Sequence, residues 1–155
     1  MKVTPLIYLM LLLAFGPVGC DSSDTQRVVI GEQTFTLELA LDQASRTQGL
    51  MHREPLAEDG GMLFVFPSAA VRGFWMKNCP MDLDIIFLDG PGYVTATHTM
   101  TAPPPGTPDE QLPSWSSVKP AQFAIEIRPG LIKQLGVKPG DRIVLPIKQL
   151  KSRAK

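Results

Sequence analysis

The sequence predicts a mainly β domain with some helix (β-rich α+β): a compact barrel or sandwich of about seven to eight short strands with two short helices. The 15 prolines and 13 glycines imply frequent turns and short segments. Several segments alternate apolar and polar residues with a period of two, and others are short apolar runs, both typical of strands. A hydrophobic fraction of 44% in 155 residues supports one packed domain and argues against intrinsic disorder.

The predicted domain begins with a hairpin and a short helix. Residues 28–30 and 34–41 flank a Gly-Glu-Gln turn, and the second segment alternates apolar with polar side chains, as expected of a strand with one buried face. Asp42 is placed to cap a helix that runs to about Gln48, and Gly49 follows its last turn.

Six further strands and a second helix are expected along the rest of the domain. The strands are residues 62–66, 73–76, 84–88, 93–100, 123–127 and 143–147. The helix spans residues 131–135, because Pro129 precedes it and Gly136 ends it. Residues 102–120 contain six of the prolines and are expected to form a long surface loop.

The N-terminus carries the pattern of an export signal. Lys2 is followed by an apolar run over residues 6–15, too short to cross a bilayer as a helix, and then by small residues that lead to Cys20. A small residue followed by Cys at this place resembles the lipobox of bacterial lipoproteins, whose Cys becomes an acylated N-terminus. The alternative is simple secretion, with Cys20 in a disulfide bond to Cys79.

These features divide the chain into four parts. Residues 1–19 are the predicted signal peptide, 20–27 a lipid-attached tether, 28–147 a single β-rich domain and 148–155 a basic, frayed tail. Acyl chains such as palmitate on Cys20 would hold the domain at the lipid bilayer. We expect an exported protein on the periplasmic or extracellular side. In a Gram-negative cell the inner membrane is expected, because Asp21 resembles a retention signal.

The charge balance excludes one large class of partners. Fifteen Lys and Arg residues balance fifteen Asp and Glu residues, so the chain lacks the basic footprint that binding to a phosphate backbone requires. We expect a monomer without a cofactor that binds no nucleic acid. Its partners would be the bilayer and an envelope protein or small ligand.

Four segments occur in an informative order. They are Gly-Leu-Met-His-Arg at 49–53, Gly-Met-Leu-Phe-Val-Phe at 61–66, Phe-Trp-Met-Lys-Asn at 74–78 with Leu-Asp-Ile-Ile-Phe at 83–87, and Ala-Ile-Glu at 124–126 followed by Gly140-Asp141. They resemble the motifs of the bacterial and archaeal family called domain of unknown function 192. The resemblance covers about residues 28–147 and implies a small, often exported β-rich domain without an assigned reaction. The family commonly has Thr in place of Cys79 and Pro in place of Asp82.

Three residues of the motif segments are candidates for binding a ligand. Arg53, Trp75 and Asn78 could line a pocket for an anionic or aromatic molecule. The competing interpretation is structural, with Arg53 buried in an ion pair with Asp84 or Glu126. The preferred function is therefore non-enzymatic binding of a small ligand or a protein in the cell envelope.

Two alternatives involve chemistry. A carboxylate- or metal-dependent hydrolase would use Asp84, Glu126 and His98. The structural interpretation of Asp84 is that it accepts hydrogen bonds from turn amides. A weaker alternative is a periplasmic copper protein, with Cys79, His98 and Met100 as the soft ligands that Cu(I) prefers.

Overall fold

The computed structural model describes residues 24–53 and 55–155. The predicted signal peptide and the acylation site at Cys20 lie outside the described residues. The elements are β1 Thr25–Ile30, β2 Gln33–Ala40, α1 Gln43–Gln48, β3 Gly60–Ala70, β4 Gly73–Phe74, β5 Leu83–Leu88, β6 Val94–Met100, β7 Trp115–Ser116, β8 Ala121–Ile127, α2 Leu131–Leu135 and α3 Ile147–Arg153. One 3₁₀ turn, Asp109–Gln111, lies in the predicted loop.

The described strands form a six-stranded sheet in the order β1-β2-β3-β8-β5-β6 and a small β4–β7 ribbon. All pairs are antiparallel except β2 with β3, which are parallel and are joined by a crossover that contains α1. The large sheet has free edges at β1 and β6, so the described part of the chain forms a sandwich-like fold rather than a closed barrel. The mainly β prediction is confirmed.

Both faces of the sheet are covered. One face packs with α2, α3 and the segment before α3 around Phe35, Ile125 and Leu150. The other packs with the segments that follow α1 and β4, around Phe64, Met76 and Phe87. The central strand β8 is buried along its whole length, because β3 and β5 pair with its two edges and a core covers each face. A polar side chain on β8 is therefore fixed in position by its surroundings.

Helix α1 forms where its capping residues predict it. The Asp42 carboxylate accepts a hydrogen bond from the Ser45 amide at 2.8 Å, and the Ser45 hydroxyl accepts one from the Asp42 amide at 3.2 Å. This reciprocal pair satisfies two backbone donors at the start of the helix. Gly49 ends the helix with a φ of 49°, which a glycine adopts without strain. The helix holds Arg46 in a defined direction.

The C-terminal prediction is wrong in two respects. Residues 143–147 form no strand, although Ile143 and Leu145 are buried, and only an isolated bridge joins Arg142 to Tyr93. The expected frayed tail is instead helix α3, whose Leu150 is fully buried. Its apolar residues recur at helical spacing and pack on the core, which stabilises an otherwise basic segment.

Two further boundaries differ from the expected ones. Strand β1 begins at Thr25, where it pairs with Glu38, so the last residues of the predicted tether 20–27 belong to the sheet. The structure has three short α-helices among its described residues rather than two. None of the helices in the described ranges is long and apolar enough to cross a membrane.

Candidate ligand-binding site

Asp84 and Glu126 point to opposite faces of the sheet. Asp84 lies opposite Ile127 in the strand register, whereas Glu126 lies opposite Ile85. Side chains on neighbouring residues of a strand project to opposite faces, so the two carboxyl groups are separated by the sheet. The hydrolase arrangement of Asp84, Glu126 and His98 is therefore not formed.

Asp84 has a structural role. It is fully buried and accepts hydrogen bonds from the Thr99 hydroxyl at 2.7 Å and from the Ile132 amide at 2.8 Å. The second bond satisfies a backbone donor in the first turn of α2. The structural interpretation predicted that Asp84 accepts hydrogen bonds from turn amides. Asp84 does accept from a backbone amide, but this amide belongs to helix α2 and not to a turn. Asp84 thus joins β5 to β6 and α2.

The three proposed soft ligands take part in packing and hydrogen bonding. Cys79 and Met100 are buried in the same core, while the His98 ring lies 6.1 Å from the Phe87 ring and its Nε2 is 2.8 Å from the Ser116 carbonyl oxygen. No group of three or more His, Cys, Asp or Glu side chains in residues 24–53 and 55–155 is arranged to hold a metal ion. The copper interpretation therefore gains no support from this geometry.

Glu126 borders a small cavity of about 40 Å³. Only 4% of the residue is exposed, and no described residue donates a hydrogen bond to its carboxyl group. Burial raises the pKa of Glu126 to about 8. Burial of Cys79 itself, and then the negative charge of nearby Glu126, raise the pKa of the Cys79 thiol to about 11, so this thiol stays protonated at neutral pH.

A larger groove of about 670 Å³ lies beside this cavity, and we call it the arginine groove. Its walls come from α1, the end of β3, the turn after β3, and β4. They consist of Gln43, Arg46, Thr47, Phe66, Pro67, Ser68, Val71, Arg72, Gly73, Phe74, Trp75 and Lys155. Two guanidinium groups and three aromatic rings thus face one concave surface.

Both guanidinium groups lie against the same ring. The central carbon of Arg72 is 4.1 Å from the Phe66 ring centroid, and that of Arg46 is 5.4 Å from it. Arg46 is fixed by hydrogen bonds to the carbonyl oxygens of Leu41 at 2.8 Å and Val65 at 2.9 Å, and by a third to Lys155. Its position is therefore set by the fold.

Arg72 is less completely satisfied. Its backbone is locked by Ser117, which accepts from the Arg72 amide at 2.9 Å and donates its own amide to the Arg72 carbonyl at 2.8 Å. One Nη of Arg72 donates to the Ser68 carbonyl, but its Nε is buried without a hydrogen-bond partner among the described residues. Burial, and then the nearby charge of Arg46, lower the pKa of Arg72.

Residues 26–145 match the model of the family described as "DUF192: Uncharacterized ACR". The chain belongs to this family. The resemblance identified from the four motif segments is thus confirmed. No curated protein matches the chain.

Two solved structures are similar to this DUF192 chain. One is a protein of Sinorhizobium meliloti 1021 whose description names it a candidate transcription regulator. It is 35% identical, with a TM-score of 0.65, over 76% of this chain and 89% of that one. The other is a protein of unknown function from Novosphingobium aromaticivorans DSM 12444. It is 27% identical, with a TM-score of 0.62, over 77% of this chain and 82% of that one.

The DUF192 motif segments meet around Glu126. Its cavity is lined from the first segment by Gly49, Leu50 and Met51, from the second by Phe64, and from the third by Phe74, Trp75 and Lys77. The fourth segment supplies Glu126 itself. Residues that are far apart in the sequence therefore share one small volume at the middle of the sheet.

The three predicted ligand-binding residues of this DUF192 domain line different openings. Trp75, which is 43% exposed, borders both the arginine groove and the Glu126 cavity. Asn78 borders a cleft of about 270 Å³ beneath the proline-rich loop, and Arg53 a third opening. Their role in binding stays a prediction. Sequence reasoning missed Arg46 and Arg72, because only the β2–β3 crossover brings α1 beside the end of β3.

The expected burial of Arg53 against Asp84 or Glu126 is wrong. Arg53 forms a bidentate ion pair with Glu38, with Nη to Oε distances of 2.7 and 3.3 Å. The side chains of Arg53 and Glu38 are 43% and 29% exposed. Since β2 pairs in parallel with β3, the segment before β3 runs past Glu38, which is nearer to Arg53 than either predicted acid.

Arg53→Met should lower the free energy of unfolding by no more than about 1 kcal/mol, because both side chains of this ion pair are partly exposed to water. Glu38→Gln should have an effect of similar size. Urea denaturation of the two variants and the wild type provides the measurement. A loss of about 3 kcal/mol or more for Arg53→Met would instead indicate a buried charge left without a partner.

Proposed function

We propose that this chain is an exported, membrane-tethered and non-enzymatic domain whose arginine groove binds a small organic anion. The observation that supports the proposal most strongly is the position of Arg72. Its guanidinium is partly buried beside that of Arg46, and its Nε has no hydrogen-bond partner among the described residues.

An anion in the groove would offset the repulsion between the two guanidinium groups. It would also accept a hydrogen bond from the Nη of Arg72 that has no partner among the described residues. A carboxylate or phosphate accepts paired hydrogen bonds from the planar guanidinium group. The described lining of the groove contains no Asp or Glu side chain to supply the negative charge from within.

The rest of the groove favours an anion with an apolar body. Phe66, Phe74 and Trp75 provide aromatic surface next to the two arginines. The volume of about 670 Å³ falls within the range of small-molecule sites, about 300–1,000 Å³. The described lining contains no His, Cys, Asp or Glu side chain that could act as a base or nucleophile, which favours binding over catalysis.

Benzoate and phenyl phosphate are suitable probes for this groove. Isothermal titration calorimetry should detect binding of at least one of them to the wild type, and Arg72→Met should weaken that binding about tenfold or more. Arg128→Met is the matched control, because Arg128 is exposed and lies outside the groove. Equal affinities for wild type and Arg72→Met, or no binding of either probe, would contradict the proposal.

The membrane tether is supported by the sequence alone. Cys20 ends a signal-like segment and lies five residues before β1. Intact-mass analysis of the protein from a bacterial membrane fraction should show residues 1–19 removed and acyl chains on Cys20. Cys20→Ser should remain unprocessed at this site. A wild-type mass without lipid would contradict the tether while leaving the groove untouched.

A further inference from the structure

The arginine groove and the Glu126 cavity are neighbouring compartments. Arg46, Thr47, Phe74 and Trp75 line both of them. A molecule held by the two arginines therefore lies within reach of the cavity that Glu126 borders. Glu126 supplies the one carboxyl side chain in the cavity wall, which also contains Arg46 and Lys77.

The walls of the Glu126 cavity suit a cation. Phe64 and Phe74 meet edge to face, with ring centroids 5.0 Å apart, and Trp75 closes another side. Aromatic surface beside a carboxyl group that ionises when a cation enters is an environment that attracts ammonium groups. A cavity of about 40 Å³ has room for one to three water-sized groups, which suits a primary ammonium but not a trimethylated one.

The two cationic side chains in the cavity wall interact with groups other than Glu126. Arg46 donates to three main-chain oxygens. The Lys77 ammonium pairs with Asp109 and lies 5.4 Å from the Trp75 ring centroid. Cys79, the other ionisable residue in the wall, carries a protonated thiol and offers no charge. Glu126 is thus a buried acid without a cation of its own among the described residues.

We propose that the ligand is a zwitterion whose acidic group lies between Arg46 and Arg72 and whose primary ammonium group enters the cavity at Glu126. The chemical class is a small amino carboxylate or amino phosphate. This inference rests on the proposed anion-binding function and adds the second charge that the ligand carries. It also assigns Glu126 as a ligand-binding residue.

A series of amino carboxylates tests this inference over a range of spacings between the two charges. Glycine, β-alanine, γ-aminobutyrate and ε-aminohexanoate are compared by calorimetry with the simple carboxylates of the same chain length. At one or more lengths the amino group should increase the affinity about tenfold or more. Glu126→Gln should remove this gain and leave the affinity for the simple carboxylates unchanged.

Glu126→Met provides a second variant, which keeps the space filled if the amide disturbs folding. Glu58→Gln is the matched control, because the Glu58 side chain is 91% exposed. The inference is overturned if amino carboxylates bind no better than simple carboxylates at every length, or if the gain survives in both Glu126 variants. In either case binding of the simple carboxylates still supports the anion site, whereas its absence would also remove the proposed function.

Discussion

Replacing Asp84 with alanine should lower the free energy of unfolding by about 2–4 kcal/mol, because the change leaves two hydrogen-bond donors without their acceptor. The Thr99 hydroxyl and the Ile132 amide both donate to Asp84, which is fully buried between β5 and α2. The loss also opens a cavity, since the surrounding core cannot relax completely. Urea denaturation followed by circular dichroism gives the measurement.

Asp82→Ala is the matched control for this prediction. Asp82 is two residues away, is exposed, and accepts a single hydrogen bond from the Ala102 amide at 2.8 Å. Its replacement should cost less than about 1 kcal/mol. Equal effects of the two substitutions would show that Asp84 does not join β5 to α2 in solution.

Stability should fall as the pH rises from 5 to about 8, and Glu126 should be a principal cause. Burial raises the pKa of Glu126 from 4.5 to about 8 in the folded protein. Between these values the unfolded chain loses a proton that the folded chain keeps, so ionisation favours the unfolded state. Below pH 4.5 both states are protonated and no penalty remains. The predicted loss is on the order of 3–5 kcal/mol between pH 5 and pH 8.

Glu126→Gln should remove most of this pH dependence, because the amide cannot ionise. The variant should match the wild type near pH 5 and exceed it in stability near pH 8. Glu58→Gln, which changes an exposed acid, should retain the wild-type slope. Parallel stability curves for wild type and Glu126→Gln across this range would show that Glu126 ionises normally in the folded protein.

The sequence predicted those parts of the fold that depend on local signals. The capping residue Asp42, the hairpin turn at Gly31 and the alternation along β2 are short-range patterns, and each has the expected structure. Helix α3 was missed because its basic composition suggested a solvated tail. Leu150 is buried because α3 packs on the core, and the local sequence does not indicate this contact.

The site was less predictable, because it depends on strand register and on a crossover. Asp84 and Glu126 were grouped as acids, but the pairing of β5 with β8 places them on opposite faces. Likewise, Arg46 and Arg72 are separated by 26 positions and by a parallel strand pair, and no motif spacing relates them. Trp75, which was selected as a ligand-binding residue, is exposed and borders the arginine groove, and its role in binding stays a prediction.

The most direct test of anion binding in the arginine groove is nuclear magnetic resonance of the uniformly ¹⁵N-labelled domain titrated with benzoate. The Arg72 Nε–H resonance and the Trp75 indole N–H resonance should shift together and saturate at the same benzoate concentration. The Arg128 Nε–H resonance, outside the groove, should not move. Shifts confined to residues outside the arginine groove, or no saturable shift of the Arg72 Nε–H resonance, would contradict binding at this site.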